Sequence, residues 1–182
     1  SEFTDQLSTS DTLDLAELQL QKELQAMFDI DSQQYLQDYL HLVQQLNVQT
    51  WTADMQEMYR AIHTIKGGSV TVGADACLKV AAILEDLLSD LRHLTPPPPL
   101  NDGQLANMLQ EAGEFLASSL QIQGSGDEII ALIQPSVQRL KALHEQIKLS
   151  YLSDWDEQRL LHQEFADQGF GLVVLNLEMV VD

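Results

Sequence analysis

The sequence predicts an all-α protein: an antiparallel four-helix bundle with an additional helix at each end. Apolar residues recur at spacings of three and four along most of the 182-residue chain, which is typical of helices that bury one face. Aromatic residues make up only 6% of the chain, whereas Leu, Ala and Gln are abundant, and this favours packed helices over a sheet sandwich. Short polar segments and one proline run separate the apolar stretches.

The chain is strongly acidic. Acids outnumber bases 28 to 9, and a net charge of −19 repels phosphate backbones and anionic lipid, so we expect neither nucleic-acid nor membrane partners. The single cysteine, Cys77, excludes an internal disulfide framework and fits a reducing compartment. No stretch has the length of a membrane span and no signal peptide opens the sequence, so we expect a soluble, cytoplasmic protein.

Residues 1–12 are polar and are expected to be disordered, like an expression tag. The chain opens with SEF instead of methionine, as a cloning scar on an excised fragment would. Helical patterning begins at Leu13 and is expected to break at 29–31. A second helix, capped by Asp31 or Ser32, then continues to the turn NVQT.

The third helix carries the clearest pattern, and we expect it to start at a cap of Thr50 or Thr52. Gly73 is expected to end it and to turn the chain into an antiparallel fourth helix, from Ala74 to about Leu94. The apolar stripe of the third helix steps by three and four residues, as in a bundle helix: Met55, Met58, Ile62, Ile65, Ser69 and Val72.

The remaining segments complete the bundle. TPPPPL (95–100) excludes helix and predicts a stiff extended connector, followed by a fifth helix over 102–122. A sixth helix is predicted over 128–149, where Pro135 either kinks it or delays its start to that position. Residues 13–150 are therefore predicted to form one helical domain.

Residues 151–182 are predicted to be an extra helix, capped by Ser153 and ending near Gly169, followed by an apolar tail. The tail, FGLVVLNLEMVVD, is rich in β-branched residues and has no partner strand elsewhere in the chain. It is either an irregular arm that docks on the bundle or the start of a truncated next region, and we favour the second interpretation.

One ridge of the third helix holds the candidate site. Residues three and four positions apart share a helix face. The ridge beside the apolar stripe contains Tyr59, His63, Lys66, Gly67 and Val70. Either His63 is a boundary histidine that packs beside the core, or the cationic Lys66 one turn away indicates a reactive site.

The adjacent glycines Gly67 and Gly68 need an explanation, because each mid-helix glycine costs roughly 1 kcal/mol relative to alanine. They either end the helix or leave bare surface beside His63. The apolar stripe continues beyond them without a change of phase, which favours bare surface.

The hairpin geometry supplies a partner for His63. His63 lies ten residues before Gly73, and Glu85 lies twelve after it. At about 1.5 Å per residue these positions are roughly 15 and 18 Å from the turn. Either Glu85 is a solvated acid, or its carboxylate accepts a hydrogen bond from one imidazole nitrogen. The second arrangement fixes the tautomer and leaves the other nitrogen as an unprotonated nucleophile.

The stretches AIHTIKGGSVTVG and AAILEDLL resemble the histidine phosphotransfer (HPt) domain, in particular the one that opens CheA-type chemotaxis kinases. Five residues match the family pattern: His63, Lys66, Gly67, Gly73 and Glu85. The match is close over 59–92 and looser, as a helical bundle, over 30–150. Many CheA-type domains carry a second histidine at the position of Ala82.

The resemblance implies a four-helix bundle of HPt type that serves a two-component phosphorelay, within a CheA-type or hybrid kinase. It implies that His63 accepts a phosphoryl group from a kinase ATP-binding domain and passes it to an aspartate of a response-regulator receiver domain. Lys66 would offset the charge of the phosphoryl group, and Glu85 would hold the imidazole. Partner docking would involve the surrounding surface, formed by Tyr59, Gly67, Gly68 and Val70.

No cofactor is expected in this chain, since ATP and Mg²⁺ would belong to the kinase and receiver partners. No GxxxxGK[ST] phosphate-binding run is present, so the chain itself is not expected to bind ATP. The other histidines lack metal-ligand spacing: His41, His93, His144 and His162. The alternative function is a non-catalytic helical adaptor or scaffold in which His63 is incidental. As a fragment, the chain is expected to be a monomer.

Overall fold

The computed structural model describes residues 9–153 and confirms the all-α fold, with no strand in that range. The helices are α1 (Thr9–Gln44), α2 (Trp51–Val72), α3 (Asp75–Arg92), α4 (Gln104–Leu120), α5 (Asp127–Leu132) and α6 (Gln134–Ile147). A π-helical turn, Lys148–Leu152, follows α6 directly. None of these helices is long and apolar enough to cross a bilayer.

Helices α1 to α4 close a four-helix bundle. Each packs against its two neighbours in the ring, α1 against α2 and α4, and α3 against α2 and α4. Helix α6 packs against α3 and α4. The largest side chains in the interior are almost fully buried: Trp51, Tyr39, Leu36, Met55, Met58, Ile62 and Ile65. The apolar stripe of α2 is therefore its core face.

The predicted break at 29–31 is wrong, because α1 is one continuous helix of 36 residues. The Ser32 hydroxyl donates to the carbonyl of Phe28, one turn back in the same helix, instead of capping a new one. Neither Gly nor Pro occurs within α1, so nothing in its backbone forces a break. The helix starts at Thr9, so the disorder expected for residues 1–12 is wrong for 9–12, and residues 1–8 lie outside the described part.

Two contacts tie the helices together at one end of the bundle. The Tyr39 hydroxyl donates to the carbonyl of Leu109 at 2.7 Å, which ties α1 to α4. The indole of Trp51 donates to the carbonyl of Leu94 at 3.2 Å, which ties the start of α2 to the end of α3. Helices α1 and α4 also approach closely at Gly113, where a Cβ would lie 2.8 Å from the Tyr39 ring.

The α2–α3 hairpin turns at Gly73, as predicted. Gly73 has a φ of 68°, in the left-handed region that favours glycine, and its amide donates back to the last turn of α2. Asp75 at the start of α3 then fastens the loop before α5, since its carboxylate accepts from the amide of Gly126 at 2.8 Å. This turn fixes the relative height of every residue on the two helices.

The predicted sixth helix is divided in two, and α6 starts with Pro135 in its first turn. This agrees with the delayed start, because proline is tolerated where no intrahelical amide bond is needed. Arg139 pairs with Glu111 of α4, and His144 pairs with Asp90 of α3. Ser153 has helical backbone angles instead of those of a typical cap. The predicted seventh helix and apolar tail lie outside the described residues.

Candidate functional site

His63 and Glu85 meet across the α2–α3 hairpin. The Nδ1 atom of His63 lies 2.8 Å from Oε2 of Glu85, while the His63 side chain is 61% exposed. An ionised carboxylate only accepts hydrogen bonds, so Nδ1 carries the proton. In the neutral imidazole the lone pair is therefore on Nε2, and the exposed ring presents this nitrogen to solvent.

Lys66 completes a triad with these two residues. Its Nζ donates to Oε1 of Glu85 at 2.8 Å, so the two carboxylate oxygens serve one partner each. Glu85 is buried, with 11% of its side chain exposed. Two charge-assisted hydrogen bonds therefore compensate the burial of its carboxylate.

The pKa shifts of the triad agree with this geometry. Burial by itself would raise the pKa of the Glu85 carboxyl, but the hydrogen bonds from Lys66 and His63 outweigh it, and the pKa is lowered. The hydrogen bond with Glu85 raises the pKa of Lys66. At neutral pH, Glu85 is thus anionic and Lys66 cationic.

The two adjacent glycines occupy different environments. A Cβ on Gly67 would meet no atom within 4 Å, and Gly67 is exposed. A Cβ on Gly68 would lie 2.9 Å from the ring of Phe28 in α1. The space beside Gly68 is therefore filled by the chain's own first helix, whereas the space beside Gly67, one turn from His63, is open.

The comparisons with known proteins bear on the same region. Residues 32–115 match the family model of the Hpt domain. This part of the chain is an Hpt domain. The match runs from within α1 into α4, and it contains His63, Lys66 and Glu85. Hpt domains carry out histidine phosphotransfer in phosphorelays, where they interact with kinases and receiver domains. Neither the comparison with curated proteins nor the one with solved structures found a match.

An open groove between α1 and α2 adjoins the triad of the Hpt domain. Thr64, directly after His63, and Gly68 lie on its α2 wall. Apolar side chains of both helices form most of the remaining lining: Leu24, Phe28, Tyr35, Ile65 and Val72. Val70, 61% exposed, lines a second depression that extends from the same side towards Gly73. The α1 side of α2 thus offers apolar surface in the turn that follows His63.

Arg92 is a residue near the site that our sequence analysis missed. Its guanidinium carbon lies 3.8 Å from the centroid of the Tyr59 ring, and Tyr59 in turn stacks on His63. The register of the α2–α3 hairpin could have indicated that Arg92 lies near Tyr59. Tyr59 precedes His63 by one helical turn and Arg92 follows Glu85 by two, so both lie towards the same end of the antiparallel pair.

The other residues singled out in the sequence do not join this site. Cys77 is buried, and burial raises the pKa of its thiol to about 12, so the thiol stays protonated at neutral pH. His144 contacts Asp90, and His41 and His93 are exposed elsewhere on the Hpt domain and its flanks. Within residues 9–153, no group of three His, Cys, Asp or Glu side chains is placed to hold a metal ion. His162 lies outside the described range.

Ala82 occupies the position where many CheA-type domains carry a second histidine. It lies on α3, three residues before Glu85, and its methyl side chain cannot donate to the carboxylate. In the Hpt domain of this chain, the two described donors to the Glu85 carboxylate are therefore Lys66 and His63.

Proposed function

We propose that His63 is the phosphorylated residue of this Hpt domain. The observation that supports this most directly is the 2.8 Å contact of Nδ1 with Glu85 on an otherwise exposed ring. It leaves Nε2 as the free nucleophile, which is the requirement for attack on phosphorus.

Both half-reactions follow from this arrangement without any change of tautomer. The Nε2 lone pair attacks the γ-phosphorus of ATP held by a kinase domain, the P–N bond forms, and the P–O bond to ADP breaks. An aspartate oxygen of a receiver domain then attacks the phosphorus, and the P–N bond breaks. The proton stays on Nδ1 throughout, and the Glu85 carboxylate stabilises the positive charge that the phosphorylated ring carries.

Lys66 has two roles in the proposal. Its ammonium group, one turn from His63, offsets the negative charge of the transferring phosphoryl group. Through its 2.8 Å hydrogen bond it also holds Glu85 in place for the imidazole.

We further propose that the partners dock on the open side of the α2 ridge. Gly67 provides bare surface beside His63, while Tyr59 and Val70 flank it. The apolar groove between α1 and α2 continues this surface. Gly68 contributes by letting α1 approach α2, since its Cβ position faces Phe28.

The setting we propose is a CheA-type or hybrid histidine kinase in the cytoplasm. In this setting, ATP and Mg²⁺ are bound by the kinase and receiver partners, and the Hpt domain has no cofactor of its own. The close correspondence around His63, Lys66 and Glu85 supports this setting.

The test is phosphorylation of the full chain by a panel of histidine-kinase ATP-binding domains with γ-labelled ATP. We expect acid-labile label that is absent from His63→Gln and is retained in His93→Gln, a matched change of an exposed histidine. Label that persists in His63→Gln would refute the assignment. If no kinase and no small phosphodonor labels the chain, the adaptor alternative is favoured.

A further inference from the structure

Three side chains form a stack that ends at His63. The Tyr59 and His63 rings are nearly parallel, with centroids 5.9 Å apart and planes inclined by 13°. The guanidinium carbon of Arg92 lies 3.8 Å from the centroid of the Tyr59 ring. Tyr59 and Arg92 are both half-buried, whereas the His63 side chain is 61% exposed. The inner part of the stack is thus more enclosed than the reactive ring.

The hydrogen bond to Glu85 restrains the plane of the imidazole only within the range of angles that a hydrogen bond tolerates. It holds the ring at Nδ1, but rotation about the Cβ–Cγ bond of histidine has broad energy wells. A parallel aromatic neighbour favours one orientation of the ring, because offset-stacked rings at this centroid distance attract each other. Tyr59 therefore supplies a second restraint, at the face of the ring.

Arg92 restrains Tyr59 in the same way. Its planar guanidinium group is attracted to the negative face of the tyrosine ring. The Nε atom of Arg92 is buried and has no hydrogen-bond partner among the described residues. A buried donor without a partner is unfavourable, so its retention calls for a compensating contact. The contact with the Tyr59 ring provides one.

We propose that Tyr59 and Arg92 are positioning residues for phosphoryl transfer at His63. Arg92 holds Tyr59, and Tyr59 holds the plane of the imidazole so that Nε2 points in one direction. This inference rests on the proposed function, in which Nε2 is the nucleophile. It gives Tyr59 a role in the chemistry that is separate from partner docking.

The experiment uses phosphoramidate as the phosphodonor of the full chain, because a small molecule makes no protein–protein contact. In this step Nε2 attacks phosphorus, the new P–N bond forms, and ammonia leaves. We expect Tyr59→Leu to slow phosphorylation by on the order of three- to tenfold, since misorientation of a nucleophile lowers the rate. The order parameter of the His63 ring, from carbon relaxation NMR of the unphosphorylated chain, should fall in the same variant.

Three further variants sharpen the test. Tyr59→Phe keeps the ring and should recover most of the rate and ring order lost in Tyr59→Leu. Arg92→Gln should lower both by a smaller factor. Arg139→Gln changes an arginine on α6 that pairs with Glu111, and it should alter neither. Circular dichroism checks that each variant is folded.

Two results would overturn the proposal. One is an unchanged rate or an unchanged ring order in folded Tyr59→Leu and Arg92→Gln. The other is a loss in Tyr59→Phe as large as in Tyr59→Leu, which would assign the effect to the hydroxyl group. A failure of the proposed function is recognised separately, because the chain would then take no label at His63 from any donor, while the ring order of the unphosphorylated chain still reports on the stack.

Discussion

The two sides of helix α2 differ in polarity and in packing. Towards α3, polar side chains are joined by hydrogen bonds: His63 Nδ1 and Lys66 Nζ each lie 2.8 Å from a carboxylate oxygen of Glu85. Towards α1, an apolar groove stays open beside Thr64 and Gly68. We therefore propose that α3 sets the reactivity of the imidazole, whereas α1 sets the shape of the surface beside it. Changes on the two sides should therefore have separable effects.

The largest effect is expected on the α3 side, from Glu85→Ala. This change removes the group that fixes the proton on Nδ1, and it also releases Lys66. We expect phosphorylation of His63 to slow by on the order of tenfold or more, from both phosphoramidate and a kinase domain. The rate is measured by incorporation of acid-labile label. Glu114→Ala, an exposed acid on α4, is the matched control, and equal rates in the two variants would contradict the role of Glu85.

Lys66→Ala should have a smaller effect on the same side. It removes one of two donors to Glu85 but leaves the contact with His63 in place, so we expect transfer to slow by about three- to tenfold with the fold intact. Transfer to a receiver domain is followed by loss of label from the chain. Lys141→Ala, at an exposed position of α6, controls for the loss of one positive charge. An unchanged transfer rate in Lys66→Ala would refute its role.

The glycines test the α1 side of the comparison. Gly67→Ala meets open space, so it should raise the free energy of unfolding by about 0.5–1 kcal/mol. Gly68→Ala gains the same helix propensity but overpacks against Phe28, at a cost of about 1–3 kcal/mol. Urea unfolding should therefore show Gly68→Ala to be the less stable variant. Equal stabilities would contradict the close approach of α1.

The phosphotransfer activity of Gly67→Ala tests the role of the bare surface separately from stability. In Gly67→Ala, we expect transfer from a kinase domain to slow more than phosphorylation by phosphoramidate, because only the protein partner needs the bare surface. A uniform decrease with both donors would assign Gly67 to the chemistry and not to docking.

The smallest effect concerns pH. The folded-state pKa of Glu85 lies below its ordinary value of 4.5, so its stabilising contribution is complete above the unfolded-state pKa and is lost as the pH falls through the folded-state pKa. We expect the difference in unfolding free energy between wild type and Glu85→Gln to be constant near neutral pH and to shrink under acid conditions. A difference that grows on acidification would contradict the lowered pKa.

Lys66 gives the complementary dependence at high pH. Its folded-state pKa is raised above 10.5, so its contribution is complete below that value and is lost as the pH rises through the folded-state pKa. The pair is thus charged across the whole neutral range.

The contact between His63 and Glu85 could be predicted from the sequence because helix geometry is rigid. The rise per residue and the turn at Gly73 fix the height of both residues, and the apolar stripes fix which faces meet. For Arg92, the sequence could predict only its level along the α2–α3 hairpin. The contact of its guanidinium group with Tyr59 depends on which of the many rotamers of this long side chain is adopted.

The error at 29–31 has a different cause. Asp and Ser favour helix caps as local sequence signals, but burial along the continuing face of α1 overrides that preference. Phe28, Ser32 and Leu36 are all buried on this face, so a break there would lose their packing. The sequence alone could not predict that Gly67 faces open space and Gly68 faces Phe28, because this depends on where α1 packs against α2.

The Glu85 bridge also determines the electrostatic character of the site on a chain whose net charge is −19. The negative Glu85 carboxylate and the positive Lys66 ammonium group form a pair with zero net charge. An anionic phosphodonor that approaches the imidazole therefore meets no net charge from this pair, on a chain that is acidic as a whole. The Lys66 ammonium group thus offsets, beside His63, the negative charge that the Glu85 carboxylate adds to the site.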